Sequence, residues 1–207
     1  METFAEYILD ENKTIDEKME IMCYLERRLR NDPERRITFD KTVIFKTTIA
    51  ELFIETMDID VDKNLVLTAS LLCNCKKGKE PQKIGKLRSF AKEGAEYLAT
   101  LGFDKRFCKI CEELNRYSGS NPREKESDIL EVCDQFGGLM LDRPDRRGYA
   151  PMDALIQIEH ANLKDVFNRY LGTFREWVEF MEDVNITLPE NNMTINGLRA
   201  FARKINS

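Results

Sequence analysis

The chain has 207 residues, of which 42% are hydrophobic and 33% charged, a balance typical of a globular protein with a sizeable core. Its net charge of −5 argues against nucleic acid or a membrane surface as a partner, and its single histidine excludes a histidine-rich metal site. No apolar run approaches the ~20 residues of a membrane span. The acidic start lacks the basic residues of a signal peptide, so we expect a cytoplasmic protein with free thiols.

Helical patterns follow one another along the chain. Thr14 and Glu17 form a capping box. The apolar residues after them recur at intervals of three and four residues, which predicts a helix that ends at Asp32-Pro33. Loops are predicted for the basic stretch 76–86 and the turn-rich segment 118–122. Further helices are predicted over residues 45–57, 65–72, 87–101, 104–117, 129–140, from 151, 166–181 and from 194. The sequence therefore predicts one all-α domain with N- and C-terminal helical extensions.

Two closely spaced cysteine pairs, Cys73 with Cys75 and Cys108 with Cys111, are candidates for a zinc site. Four thiolates at such spacing can hold zinc tetrahedrally. However, Cys108 and Cys111 lie three apart in an apolar helical stripe, where they share one face of the helix. Packing in the core is therefore the favoured interpretation of these cysteines.

Basic residues are candidates for binding a phosphate group. Lys76, Lys77 and Lys79 lie in the predicted loop beside Gly78, without the glycine and lysine spacing of a phosphate-binding loop, which favours a solvated loop. Arg143 lies in the charged run 142–147, which predicts either a salt-bridged corner or an anion site. The one tryptophan, Trp177, has a helical stripe around it that fits either the core or a docking surface.

The segment from Ser127 to Arg146 resembles the late helix of HD-GYP domains, in which an apolar run ends in Asp-Arg-Pro, here Asp142-Arg143-Pro144. Three weaker similarities precede it. Residues 65–72 resemble the apolar helix before the family's His-Asp pair, and residues 94–103 resemble its Gly-Ala-Glu segment followed by Leu-Gly-Phe. Residues 115–122 resemble the loop that gives the family its name. The resemblance covers residues 40–160 and implies an HD-domain-like helical bundle at 37–160, with extensions at 1–36 and 161–207.

HD-family phosphohydrolases bind two or three divalent metals through His and Asp, and HD-GYP members hydrolyse cyclic di-GMP. The resemblance implies that the chain keeps one family metal ligand, Asp134, and has lost the others. At the family's remaining ligand positions the chain has other residues: Cys73, Asn74, Phe90, Glu113, Leu114 and Asn115. A thiolate can bind zinc and an Asn offers a weak amide oxygen, but Phe90 and Leu114 offer no ligand. One carboxylate cannot hold a two-metal centre, so no cofactor is expected, and a divalent metal at Asp134 is the weaker alternative.

The resemblance therefore implies a catalytically inactive domain that acts as a regulatory or protein-interaction module. One alternative is a phosphohydrolase with an atypical site in the remnant cleft formed by Cys73, Asn74, Glu113, Asn115 and Asp134. Another is a sensor that binds a small nucleotide through Lys76, Lys77, Lys79 or Arg143 without hydrolysis. In all three cases we expect a helix to end at residues 73–76 and both Cys73 and Asn74 to lie near Asp134.

Overall fold

The computed structural model describes residues 3–39, 41–77, 84–114, 116, 121–143 and 146–184, with the side chains of all but 41 and 84–89. These ranges are mostly helical and contain no β-strand, which confirms the predicted all-α class. No helix within them combines the length and the apolar character needed to cross a bilayer.

Two capped helices begin the chain, α1 (Phe4–Leu9) and α2 (Ile15–Leu29). The capping box at Thr14 is confirmed, because its hydroxyl accepts from the Glu17 N–H and Glu17 caps in return. Thr3 and Glu6 form a second capping box, and the helix that follows it was not predicted. Both helices pack on α4 (Lys63–Leu72), so the N-terminal segment lies against the rest of the fold.

The centre of the fold is the packing of α3 (Lys41–Thr56) on α7 (Lys125–Met140) and on α4. Gly137 allows α3 and α7 to approach closely, because a Cβ at this position would lie 2.8 Å from Lys46 Cγ. Helices α5 (Ile84–Thr100) and α6 (Lys105–Glu113) form a neighbouring pair. Gly102 joins them at a φ of +96°, a conformation that favours glycine.

The C-terminal part begins at Pro151, the first residue of α8 (Pro151–Gln157), as predicted. A π-helical turn (Ile158–Asn162) extends α8, and α9 (Leu171–Asp183) follows. The predicted helix over 166–181 therefore starts too early. The reason is that Asn168 and Arg169 bond to Asp128 of α7, which holds the chain out of a helix there. The helix predicted from residue 194 lies outside the described residues.

The core is built around an aromatic cluster. Trp177 is fully buried and its ring lies 5.7 Å from the ring of Phe53 and 5.1 Å from that of Phe174. Phe136 of α7 closes the cluster, with its ring 5.0 Å from that of Phe174. Trp177 is therefore a core residue, which decides between its two interpretations. The hydrophobic core that contains these rings also includes Ile8 of α1. The predicted segments 1–36, 37–160 and 161–207 therefore all contribute to one core.

Candidate functional site

Asp134 and Asn74 meet at the C-terminal end of α4. The helix stops at Leu72, the chain turns through residues 73–76, and Asn74 Nδ2 donates to Asp134 Oδ1 at 3.1 Å. Asn74 is 5% exposed, and its Oδ1 has no hydrogen-bond partner among the described residues. The predicted proximity of these two side chains is confirmed.

Lys46 of α3 supplies a cation to the same carboxylate. Its Nζ lies 2.5 Å from Asp134 Oδ1, and the two side chains are only 10% and 24% exposed. Sequence reasoning missed Lys46, which lies 88 residues from Asp134 along the chain. The one signal in the sequence is that Lys46 stands among apolar and threonine residues. A lysine on a helix that is buried along most of its length needs a partner for its charge.

Two further cations lie near this ion pair. Lys77 is half-buried, and its Nζ lies 5.6 Å from the ring of the buried Phe90. Within the described part of the chain, the Lys77 ammonium has no ion pair or hydrogen bond. Arg143 Nη2 donates to Gly138 O at 3.3 Å, and both Arg143 and the Lys46 ammonium lie within 3.9 Å of the point that a Gly138 Cβ would occupy.

The cations decide the charge state of Asp134. Burial alone would raise the pKa of its carboxyl, but the charges of Lys46 and Lys77 and the hydrogen bonds from Lys46 and Asn74 lower it to about 2. Burial lowers the pKa of Lys77, and Asp134 only partly offsets this effect. The site therefore brings one carboxylate together with the side chains of two lysines and one arginine, an arrangement that attracts a second anion.

Lys76, another predicted phosphate ligand, lies away from Asp134. Lys76 Nζ donates to the carbonyl oxygens of Glu34 at 2.7 Å and Arg36 at 3.1 Å, and it also lies over the ring of Tyr97. These contacts tie the segment after α2 to the turn after α4, so Lys76 has a structural role. Lys79 lies outside the described residues.

Glu113 lies apart from Asp134. Its Oε2 accepts from Ser127 Oγ at 3.0 Å and from the Glu124 N–H at 2.7 Å. Ser127 precedes Asp134 by seven residues on α7, which is about 10 Å along a helix axis. The structure therefore brings Asn74 to Asp134 but not Glu113, and Asn115 lies outside the described residues.

Glu113 belongs instead to a buried network of ion pairs along the first half of α7. Asp128 is bound by Arg123 Nε at 2.9 Å and by Arg169 Nη1 at 2.7 Å, and Glu131 is bound by Arg116. Each of these carboxylates has a basic partner, so the network fixes the loops around α7. Its members are Glu113, Glu124, Glu126, Asp128, Glu131, Arg106, Lys109, Arg116, Arg123, Asn168 and Arg169.

The four candidate zinc ligands are packed in or beside the core. Cys73, Cys75 and Cys111 are buried and Cys108 is half-buried. Burial raises the pKa of all four thiols, that of Cys75 to about 12, so the thiol form predominates at neutral pH. In the described ranges, no group of three or more His, Cys, Asp or Glu side chains has the geometry to hold a metal ion. The contacts of these cysteines are those of core residues.

Comparison with family models, with curated proteins and with solved structures finds no match to this chain. Its function therefore has to be argued from the site itself. Chemically, the site offers a carboxylate already neutralised by an ammonium, an amide with one free oxygen, and two further cations. Such a set can hold an anion, and none of these described side chains is an activated nucleophile.

Proposed function

We propose that this chain is a catalytically inactive HD-GYP-like domain that acts as a regulatory or protein-interaction module. The observation that carries the proposal is the ion pair between Lys46 and Asp134, at 2.5 Å. Asp134 is the residue that matches a family metal ligand. The ammonium of Lys46 neutralises this carboxylate and binds one of its two oxygens, Oδ1.

Neighbouring positions support the same proposal. Two-metal hydrolysis needs cations ~3.5–4 Å apart, each held by several fixed ligands. Phe90 and Leu114, which match two lost ligand positions, are both 7% exposed and offer only carbon. The side-chain amide of Asn74 donates a hydrogen bond to Asp134. The helices can therefore persist for packing and recognition after the chemistry is lost.

Hydrolysis assays on the purified protein test the proposal. Cyclic di-GMP and a generic aryl phosphodiester would be supplied with Mn²⁺, Fe²⁺ or Mg²⁺, and bound metal would be measured in the same preparation. We expect no turnover. A metal-dependent hydrolysis that Asp134→Ala abolishes and the exposed Asp183→Asn leaves unchanged would overturn the proposal in favour of the atypical phosphohydrolase.

A second candidate function is a sensor that binds a small nucleotide without hydrolysis. It is favoured by Lys77, a half-buried cation without an ion pair in the described part of the chain, beside Lys46 and Arg143. Titration with cyclic di-GMP tests this candidate, and Lys77→Ala should weaken binding by about tenfold if an ionic contact is lost. Lys92→Ala is the matched control, because Lys92 is exposed on α5. Lack of binding would leave the protein-interaction module as the proposed function.

A further inference from the structure

A cavity lies between the turn that joins α1 to α2 and the helices α2, α3 and α4. Its volume is about 820 Å³, within the range of small-molecule sites. None of the residues around Asp134 lines it. Most of its charged lining side chains are exposed or already bonded, such as Glu17 to Thr14 and Lys63 to Glu55.

Glu51 of α3 is a buried carboxylate in the wall of this cavity. The residue is 8% exposed, and among the described residues no hydrogen bond or ion pair reaches its carboxylate. Burial and the nearby Glu55 raise the pKa of Glu51. Its carboxylate oxygens reach the cavity, where a ligand that brings a cation can pair with them.

Lys18 of α2 is a buried cation in the same cavity wall. It is 2% exposed, and its Nζ donates to Asn64 Oδ1 and, at 2.9 Å, to Thr68 Oγ1. Both partners are neutral, and no carboxylate of the described residues forms an ion pair with it. Burial lowers the pKa of Lys18 to about 8, so the ammonium form still predominates at pH 7. This position would gain from an anion.

Lys18 and Glu51 are not paired with each other, although they line one cavity. Neither side chain forms a direct ion pair among the described residues. The carboxylates of Asp10 and Asp62 act on Lys18, and the ammonium of Lys63 on Glu51, only from beyond ion-pair distance. A divalent cation fits poorly, because the described acidic side chains form no cluster that could hold one. A ligand with one positive and one negative group satisfies both buried charges at once, and the apolar side chain of Leu67 lines the space as well.

We propose that this cavity binds a small zwitterion of the amino-acid type, with its ammonium group on Glu51 and its carboxylate on Lys18. The proposal goes beyond the proposed function and does not depend on it, since no residue is shared with the site at Asp134. The class of ligand follows from the charges of Glu51 and Lys18 and from the volume of the cavity.

Three five-carbon compounds form a matched set of probes: δ-aminovalerate, the diamine cadaverine and the diacid glutarate. Calorimetric titration and thermal unfolding of the full chain would be run with each, together with the shorter γ-aminobutyrate and the longer ε-aminocaproate. We expect at least one amino acid of this series to bind. The diamine and the diacid should bind about tenfold more weakly or not at all, because each leaves one buried charge unpaired.

Two variants identify the contacts. Glu51→Gln and Lys18→Met should each reduce amino-acid affinity by about tenfold, whereas Glu176→Gln, exposed on α9, should leave it unchanged. Circular dichroism would check the fold of each variant, and Glu51→Gln, which keeps the side-chain shape, carries the test if Lys18→Met fails to fold. The absence of binding by all the amino acids, or equal binding of the diamine with no effect of Lys18→Met, would overturn the proposal.

Discussion

The ammonium of Lys46 and the carboxylate of Asp134 form an ion pair, at 2.5 Å, between the two central helices of the fold. The pair joins α3 to α7, and Asn74 adds α4 through its own bond to Asp134. Side chains from α3, α7 and the turn after α4 thus meet at one carboxylate. The pair stabilises the contact between these helices, and this contribution to the free energy of unfolding can be measured directly.

Asp134→Asn should lower the free energy of unfolding at pH 7 by about 2 kcal/mol, since it leaves Lys46 without its counter-ion. The pKa of Asp134 is lowered from 3.8 to about 2 in the folded state, so its contribution is fully present above about pH 4 and is lost as the pH falls towards 2. Urea unfolding between pH 7 and pH 2.5 checks both effects. Asp183→Asn is the matched control, and an equal loss in that variant would contradict the prediction.

Two adjacent glycines of α7 should respond oppositely to alanine. At Gly137 a Cβ would lie 2.8 Å from Lys46 Cγ, so Gly137→Ala should push Lys46 away and destabilise the fold by about 1–3 kcal/mol. At Gly138 the nearest atom lies 3.5 Å away, so Gly138→Ala should stabilise by about 0.5 kcal/mol through helix propensity. Chemical unfolding of both variants checks the difference in sign. Equal effects would contradict the close approach of α3 to α7.

Trp177 should tolerate phenylalanine far better than alanine. Trp177→Ala empties the centre of the aromatic cluster and should cost about 3–5 kcal/mol. Trp177→Phe should cost only about 1–2 kcal/mol, because the buried Nε1 has no hydrogen-bond partner among the described residues to lose. Thermal unfolding followed by circular dichroism gives both values. A loss on Trp177→Phe as large as that on Trp177→Ala would indicate a bond at Nε1.

Arg123 should be the costly member of the buried ion-pair network. Its guanidinium binds Asp128, the carbonyl oxygen of Glu113 and that of Ser127, and its side chain is 11% exposed. Arg123→Met should therefore destabilise by about 3 kcal/mol. Arg175→Met is the control, because Arg175 is half-exposed in its pair with Glu159 and should cost less than about 1 kcal/mol. Equal losses would show that the network contributes no more than a surface pair.

The helices could be predicted where their signals are local. Thr14 with Glu17 and the proline at 151 act within one turn, so both helix starts follow from the sequence. The pair of Thr3 and Glu6 is the same signal and would have predicted α1. The start of α9 could not be predicted, because bonds from Asn168 to a helix 40 residues earlier hold the chain out of a helix.

The site could be predicted only where it resembles a known pattern. That resemblance led to Asn74 and Asp134, which do meet. Lys46 matches no motif, and its partner is specified by the packing of α3 on α7, which no local pattern encodes. Glu113 illustrates the converse, since its match to a family position did not reveal that Ser127 and the Glu124 backbone hold it elsewhere.

Because the Lys46 ammonium is covalently tethered to the backbone of α3, its effective concentration at Asp134 is set by geometry and does not change with the surrounding solution. A dissociable ion would leave when its supply fell. This cation cannot diffuse away, so it stays beside Asp134 whatever ions the solution contains. A ligand that displaces Lys46 from Asp134 must therefore offer the ammonium another anion or separate α3 from α7.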